Sequence, residues 1–215
     1  MSYSDQNNYF AQAYRTGTDA WTHIPFSRRP HELSLYLPKG SMVLDLGAGR
    51  GQTLLSLGEL GFHVIGLENN HELVRKGNEE LKAKGLEKQL RFFEGDALNI
   101  PFADQSFDAL VDVGLFQHLA PADHALYASE AARVLKQGGS FFLATLSKKT
   151  PRYLNWKPMA SDTGDFEREG VRYHFSSDQE LQDLFGKDFE IKSHGYDAPH
   201  GADDATFAIL LLKKK

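Results

Sequence analysis

Three stretches of the chain set glycines or carboxylates at the ends of apolar runs, where they could hold a polar small molecule. The first is Val43-Leu44-Asp45-Leu46-Gly47-Ala48-Gly49-Arg50-Gly51, followed by an amphipathic segment from Thr53 to Leu60. Apolar run, glycine-rich turn and amphipathic segment read as strand, tight loop and helix. Glycine reaches backbone angles closed to other residues and lets a ligand approach the main chain. The helix behind the loop turns its first amide hydrogens toward it, which favours a negative group there. The second is Phe62 to Glu68, whose carboxylate comes 17 residues after Gly51. On a parallel strand beside the first, Glu68 would stand at the carboxyl edge of the sheet and could accept two hydrogen bonds from a ribose diol. A solvated strand-end acid, or a cap for the helix beginning near Asn70, is the structural alternative. The third is Gln89 to Glu94, followed by Gly95-Asp96-Ala97. Taken alone, Asp96 reads as an Asx turn.

These groups need a scaffold that brings strand ends together, and the chain supplies one. Further apolar runs occur at Ala109–Gly114 and Ser140–Leu146. Between the runs lie helical patterns. His71–Lys84 carries Leu73, Val74, Leu81 and Ala83, with Gly85 as its stop. Pro121–Lys136 points Leu126, Ala131, Val134 and Leu135 inward and closes on Gln137-Gly138-Gly139. Parallel strands joined by helices must be covered on both faces. Phe189–His194 and Ala205–Leu212 are joined too closely for a helix, so they pair antiparallel. The expected fold is a doubly wound α/β structure: a seven-stranded, mostly parallel sheet with a C-terminal antiparallel strand and helices on both faces. Ser177-Asp178-Gln179-Glu180 reads as a capping box for a helix through Phe185. Residues 2–8 read as frayed, Pro30–Leu37 as a short helix, and Lys213–Lys215 as a solubilising tail.

The run strand–Asp45–x–Gly47–x–Gly49–x–Gly51–helix resembles the first motif of the class I S-adenosylmethionine-dependent methyltransferases. A dinucleotide fingerprint places its third glycine one position later, where Gln52 stands. The resemblance continues through Asp96, the stretch Asn99–Asp108 and the turn Arg133–Gly139, so it covers about Val43 to Leu146, with the final strand pair added by topology. It implies a Rossmann-like methyltransferase with S-adenosylmethionine as cofactor. The implied cofactor contacts are Asp45, Gly47, Ala48, Gly49 and Gly51 at the loop, Glu68 and Asn69 at the ribose, and Asp96 and the Ala97 amide at the adenine. Asp112 and Val113 join them at the fourth strand's end, with Tyr14 and Trp21 as cover. Aromatic faces suit a sulfonium, and Tyr9, Tyr14, Trp21 and Phe116 are candidates for that wall. His118 is the candidate base, with core packing as its structural alternative, and His174 is a weaker one. After the fourth strand Asp112-Val113-Gly114-Leu115 departs from the Asn/Asp-Pro-Pro-aromatic run of nucleic-acid base methyltransferases, which points to a small-molecule acceptor and in-line methyl transfer. The alternatives are a regulatory protein that binds the cofactor without turnover and a nicotinamide-dependent oxidoreductase. Gln52 and the final hairpin count against the latter.

Composition bounds the rest. The 215 residues suit a single methyltransferase domain over 1–215, with a covering segment at 1–40 and an acceptor lid at 147–176. The lid interleaves Lys148, Lys149, Arg152 and Lys157 with aromatics, as a nucleic-acid grip would, but Asp162, Asp165, Glu167 and Glu169 offset them. Net charge is −5, which gives no pull toward nucleic acid or anionic membrane. The sequence has no cysteine. Disulfides, thiolate metal sites, cysteine nucleophiles and radical chemistry on a cysteine-held cluster are therefore excluded. His194, Asp197, His200, Asp203 and Asp204 match no familiar ligand spacing, so no metal is expected. A polar start with no signal-peptide core leads to the expectation of a cytoplasmic monomer or homodimer.

Overall fold

A computed structural model of the chain describes residues 3–19, 30–156, 163–168, 170–197 and 206–215. In chain order the elements are α1 (Tyr3–Thr16), β1 (Met42–Leu46), α2 (Gln52–Glu59), β2 (His63–Glu68), α3 (His71–Ala83), β3 (Leu90–Glu94), β4 (Phe107–Val113), α4 (His124–Val134), β5 (Leu135–Leu146), α5 (Pro151–Trp156), β6 (Asp165–Arg168), β7 (Val171–His174), α6 (Asp178–Phe185), β8 (Phe189–Asp197) and β9 (Phe207–Lys214). Seven strands form one sheet in the order β3-β2-β1-β4-β5-β9-β8, and β6 pairs with β7 in a separate hairpin. Strands β1 to β5 run parallel, while β9 runs antiparallel to both neighbours. The expected mixed sheet is therefore present.

Its central strands read as unbroken apolar runs because both faces are covered. Val43, Val64, Leu54, Leu57, Phe92 and Phe142 pack on one face. Leu44, Leu46, Leu110, Tyr127, Phe141, Phe185 and Phe189 pack on the other. From β1 the chain winds outward through β2 and β3, then crosses back to place β4 on β1's other side. That reversal opens a crevice at the carboxyl ends of β1 and β4, where ligands of such sheets bind.

Several local expectations are corrected. Residues 3–8 are helical rather than frayed, because Tyr3 and Gln6 are tied to distant parts of the chain; the Tyr3 hydroxyl donates to Asp123 Oδ2 and accepts from Ala120 N–H. The segment Pro30–Leu35 is a short 3-10 helix. The helix expected over Pro121–Lys136 is a 3-10 turn at Pro121–Asp123 followed by α4, and Leu135 already lies in extended backbone. Tyr127, Ala128, Ala131 and Val134 form α4's buried stripe, which turns Leu126 outward at 49% exposure. The glycines at 138 and 139 lie inside β5, where Gly138 takes a φ of 66°. The 147–176 segment holds α5 and the β6–β7 hairpin. Lys213 and Lys214 belong to β9, and Lys215 Nζ donates to Gly186 O at 2.7 Å, so these lysines are fastened rather than a tail. The capping box forms as read, with Ser177 and Glu180 exchanging both hydrogen bonds.

Candidate active site

The crevice is a cavity of about 840 Å³ that begins at the glycine turn and runs beneath α1 to the β6–β7 hairpin. The turn is wound tightly. Gly47, Gly49 and Gly51 all have positive φ, at 69°, 54° and 82°. Each is also close-packed: an added Cβ would come within 2.9 Å of Leu115 at Gly47, 2.8 Å of the Tyr14 hydroxyl at Gly49 and 2.5 Å of the Phe92 ring at Gly51. Only glycine satisfies both the angle and the spacing.

Glu68 stands beside this turn. Its Oε2 accepts from Gly49 N–H at 2.9 Å and its Oε1 from Asn70 N–H at 3.0 Å. Burial raises its pKa, and the amides of Asn70, Gly49 and Asn69 pull the other way. The Asn70 side chain, not Glu68, caps α3 by accepting from Glu72 and Leu73 N–H. Asp96, at the end of β3, accepts from Leu98 N–H at 2.8 Å, the Asx geometry read as its alternative, and it also faces the cavity.

Of the residues singled out from sequence, the structure brings Tyr9, Tyr14, Gly47, Glu68, Asn69, Asp96, Ala97, Val113 and His118 to the cavity wall. Asp45, Ala48, Gly49, Gly51, Asp112 and Phe116 lie behind that wall. Trp21 is outside the described residues. Asp45 is 2% exposed, and its Oδ2 has no hydrogen-bond partner. Burial, with Asp112 and Glu68 nearby, pushes its pKa well up. Phe116 is core, packed on His124, Tyr127 and Phe185. His174 is 2% exposed and is spent between Asp165 at 2.9 Å and Glu180 at 3.3 Å, away from the cavity.

Asp112 is fully buried and holds a turn rather than a ligand. Oδ1 accepts from Leu115 N–H at 2.7 Å; Oδ2 accepts from Phe116 N–H at 3.0 Å and from the Tyr127 hydroxyl at 2.5 Å. Burial pushes its pKa up to about 6 against those donors. The turn it fixes carries Leu115, Gln117 and His118 into the cavity wall.

His118 Nδ1 lies 2.8 Å from the Arg172 carbonyl, which can only accept, so Nδ1 carries the proton. The Gln117 carboxamide accepts from Leu146 N–H through Oε1, which leaves its Nε2 facing His118 Nε2 at 3.4 Å. Both neighbours specify the same neutral tautomer, with a lone pair on Nε2. Burial pushes the His118 pKa down to about 4, with the Arg172 carbonyl opposing. Folding thus disfavours the charged ring, so its contribution to stability is complete above the unfolded pKa near 6.5 and is lost as pH falls toward 4. The stability gap between the parent protein and His118→Asn should narrow over that window. Urea unfolding at pH 7, 6, 5 and 4.5 measures it, and a constant gap would refute the neutral ring.

Among the described residues, no group of three or more metal-binding side chains is arranged around an ion, and no helix is long and apolar enough to cross a membrane. One cavity wall carries a residue of the glycine turn, an acid at the end of the second strand and an acid after the third. Residues 43–139 match the family model described as a methyltransferase domain. This stretch belongs to the class I S-adenosylmethionine-dependent methyltransferase family. Two sterol 24-C-methyltransferases are among its relatives: that of Pneumocystis carinii, 33% identical over 54% of this chain and 31% of its own, and ERG6B of Gibberella zeae, 30% identical over 82% of this chain and 45% of its own. The chain spans less than half the length of either. The fold is matched by the crystal structure of Burkholderia thailandensis 1,6-didemethyltoxoflavin-N1-methyltransferase with bound 1,6-didemethyltoxoflavin and S-adenosylhomocysteine. That likeness has a TM-score of 0.81 at 20% identity and covers 99% of this chain and 88% of that one.

S-adenosylmethionine is the cofactor of this family, and the residues present fit it. A close-packed glycine turn that a single Cβ would fill lies against a carboxylate, and the cavity continues past both. The stretch Leu115–Leu119, read from sequence as facing the cleft, supplies Gln117, while sequence reasoning missed Gln6 and Arg172 near this site. Their identities carry no motif, and their contacts arise between segments far apart in the chain.

Proposed function

We propose that the chain transfers a methyl group from S-adenosylmethionine to a small-molecule acceptor bound at the outer end of the cleft. The observation that carries this reading is the continuity of one cavity from Gly47 and Glu68 to His118. When bound, the cofactor supplies a methyl group on a sulfonium, already activated for in-line displacement. The protein's task is then positioning, which can contribute about 7–11 kcal/mol at best, and exclusion of water.

In this reading the glycine turn receives the amino-acid end, Glu68 the ribose hydroxyls, Asp96 the exocyclic amine and Ala97 N–H the ring. Tyr9 and Tyr14 present aromatic faces to the cation. His118 holds a lone pair on Nε2 that an acceptor O–H, N–H or S–H would reach by displacing the Gln117 Nε2–H 3.4 Å away. Phe10 and Tyr173 lie against the His118 ring, and Leu146 and Phe207 line the same cavity. This lining favours an apolar or aromatic acceptor. Support comes from the two relatives, which are sterol 24-C-methyltransferases, and from the Burkholderia structure, which holds 1,6-didemethyltoxoflavin. The reading includes a cytoplasmic protein without a nucleic-acid partner, acting as a monomer or homodimer.

Calorimetry with S-adenosylhomocysteine tests the cofactor half, and binding of NADH in its place would favour the oxidoreductase. A methyl-transfer screen over amines, thiols, phenols and carboxylates tests the other half. Tight cofactor binding with no turnover across that panel would support the regulatory alternative. Glu68→Ala should weaken S-adenosylhomocysteine by about 1–3 kcal/mol, the scale of a hydrogen bond to a charged group. Unchanged affinity removes Glu68 from the ribose site.

A further inference from the structure

The Gln6 side chain is 5% exposed and bridges two backbone segments more than 100 residues away. Its Nε2 donates to His118 O at 2.9 Å, and its Oε1 accepts from Arg172 N–H at 2.9 Å. Flipping the amide would set oxygen against oxygen and N–H against N–H, so this orientation is required. The Arg172 carbonyl in turn accepts from His118 Nδ1, which closes a ring of three hydrogen bonds among α1, the turn after β4 and the β6–β7 hairpin. The same two covering elements grip the imidazole by its sides: Phe10 of α1 and Tyr173 of β7 lie edge-on to it, at 5.1 and 5.2 Å between centroids. At its other end α1 is fastened to the glycine turn. Arg50 forms a two-point ion pair with buried Asp19 and donates to Tyr14 O at 2.7 Å. Helix α1 therefore spans both ends of the cleft.

We propose that Gln6 is a positioning residue for the acceptor site: by clasping α1 to the hairpin and to the turn after β4, it holds the Arg172 peptide where it keeps the His118 proton on Nδ1. Docking of α1 and assembly of the acceptor-facing lone pair are then one event. The role rests on the reading of the outer cleft as the acceptor site, but its test needs neither an acceptor nor turnover.

The test is the nitrogen NMR spectrum of the full chain labelled at histidine, with His118 assigned through His118→Asn, together with hydrogen exchange at the Arg172 amide. The parent protein should show a single neutral Nδ1–H tautomer at pH 7 with and without S-adenosylhomocysteine. Gln6→Met keeps the length and loses both bonds. It should move His118 toward tautomer-averaged shifts and speed Arg172 exchange at least tenfold. Gln6→Glu still accepts from Arg172 N–H but sets its second oxygen against His118 O, so it should keep the Arg172 amide protected while losing the bond to the turn after β4; this variant keeps the test decisive if Gln6→Met folds poorly. A parent-like His118 spectrum with a protected Arg172 amide in Gln6→Met overturns the clasp, as does a Gln6→Glu protein whose Arg172 amide exchanges at least tenfold faster than the parent's. Failure of S-adenosylhomocysteine to bind the parent protein would instead count against the cofactor reading.

Discussion

Gly49→Val should reduce S-adenosylhomocysteine affinity at least 100-fold, about 2.8 kcal/mol, while leaving a folded protein. Two effects combine at this position. A φ of 54° costs an ordinary side chain about 1–2 kcal/mol, and a β-branched one is poorly suited to it. The added Cβ would also meet the Tyr14 hydroxyl at 2.8 Å, so either α1 moves off the cleft or the turn moves toward Glu68. In the second case the 2.9 Å bond from Gly49 N–H to Glu68 is lost and the acid is misplaced for the ribose. The clash is with the end of one side chain, which is why the domain survives. At Gly51 the obstacle is the Phe92 ring inside the core, so substitution there strains the fold as a whole. Calorimetry and a thermal melt on the same Gly49→Val sample separate the outcomes. Normal affinity would reduce the motif to a structural turn.

Asp112→Ala should lower stability by about 3 kcal/mol or more, or roughly 6–12 °C in Tm for a chain of this length. The substitution strands Leu115 N–H, Phe116 N–H and the Tyr127 hydroxyl, all at a fully buried carboxylate. Tyr127→Phe removes one donor and leaves the two amides bonded, so its cost should be less than half as large. The damage reaches function through geometry. Leu115, Gln117 and His118 ride on the turn that Asp112 holds, so residual folded Asp112→Ala should bind acceptor worse than cofactor. A melt within 2 °C of the parent would show that the buried bonds are replaced by water or by rearrangement.

Much of this site was legible before any coordinates. Alternation of apolar runs with helical patterns settles a parallel sheet, and a glycine turn after the first run marks where its ligand edge lies. Glu68 reads correctly in position because strand length and a parallel register leave it no other place. The Ser177 box is local chemistry between residues three apart, and local chemistry survives folding. What escaped the sequence depended on partners far along the chain. Asp112 resembles a strand-end ligand, but the direction of its carboxylate is set by the turn at 115–118 and by Tyr127, neither of which announces itself. Gln6 sits in a polar stretch that reads as frayed, and its two partners lie 112 and 166 positions away. Leu126 misled because periodicity fixes a face only once the helix start is known, and α4 begins after a 3-10 turn.

The position of β9 has a consequence for how the protein is made. Its residues 207–212 are buried between β5 and β8, and it lies after both in the chain. While a ribosome is still translating, β5 therefore exposes an open apolar margin, and β8 has no ladder to join. Such margins recruit other chains. Refolding from denaturant at high concentration should pass through its most aggregation-prone stage just before this last strand inserts.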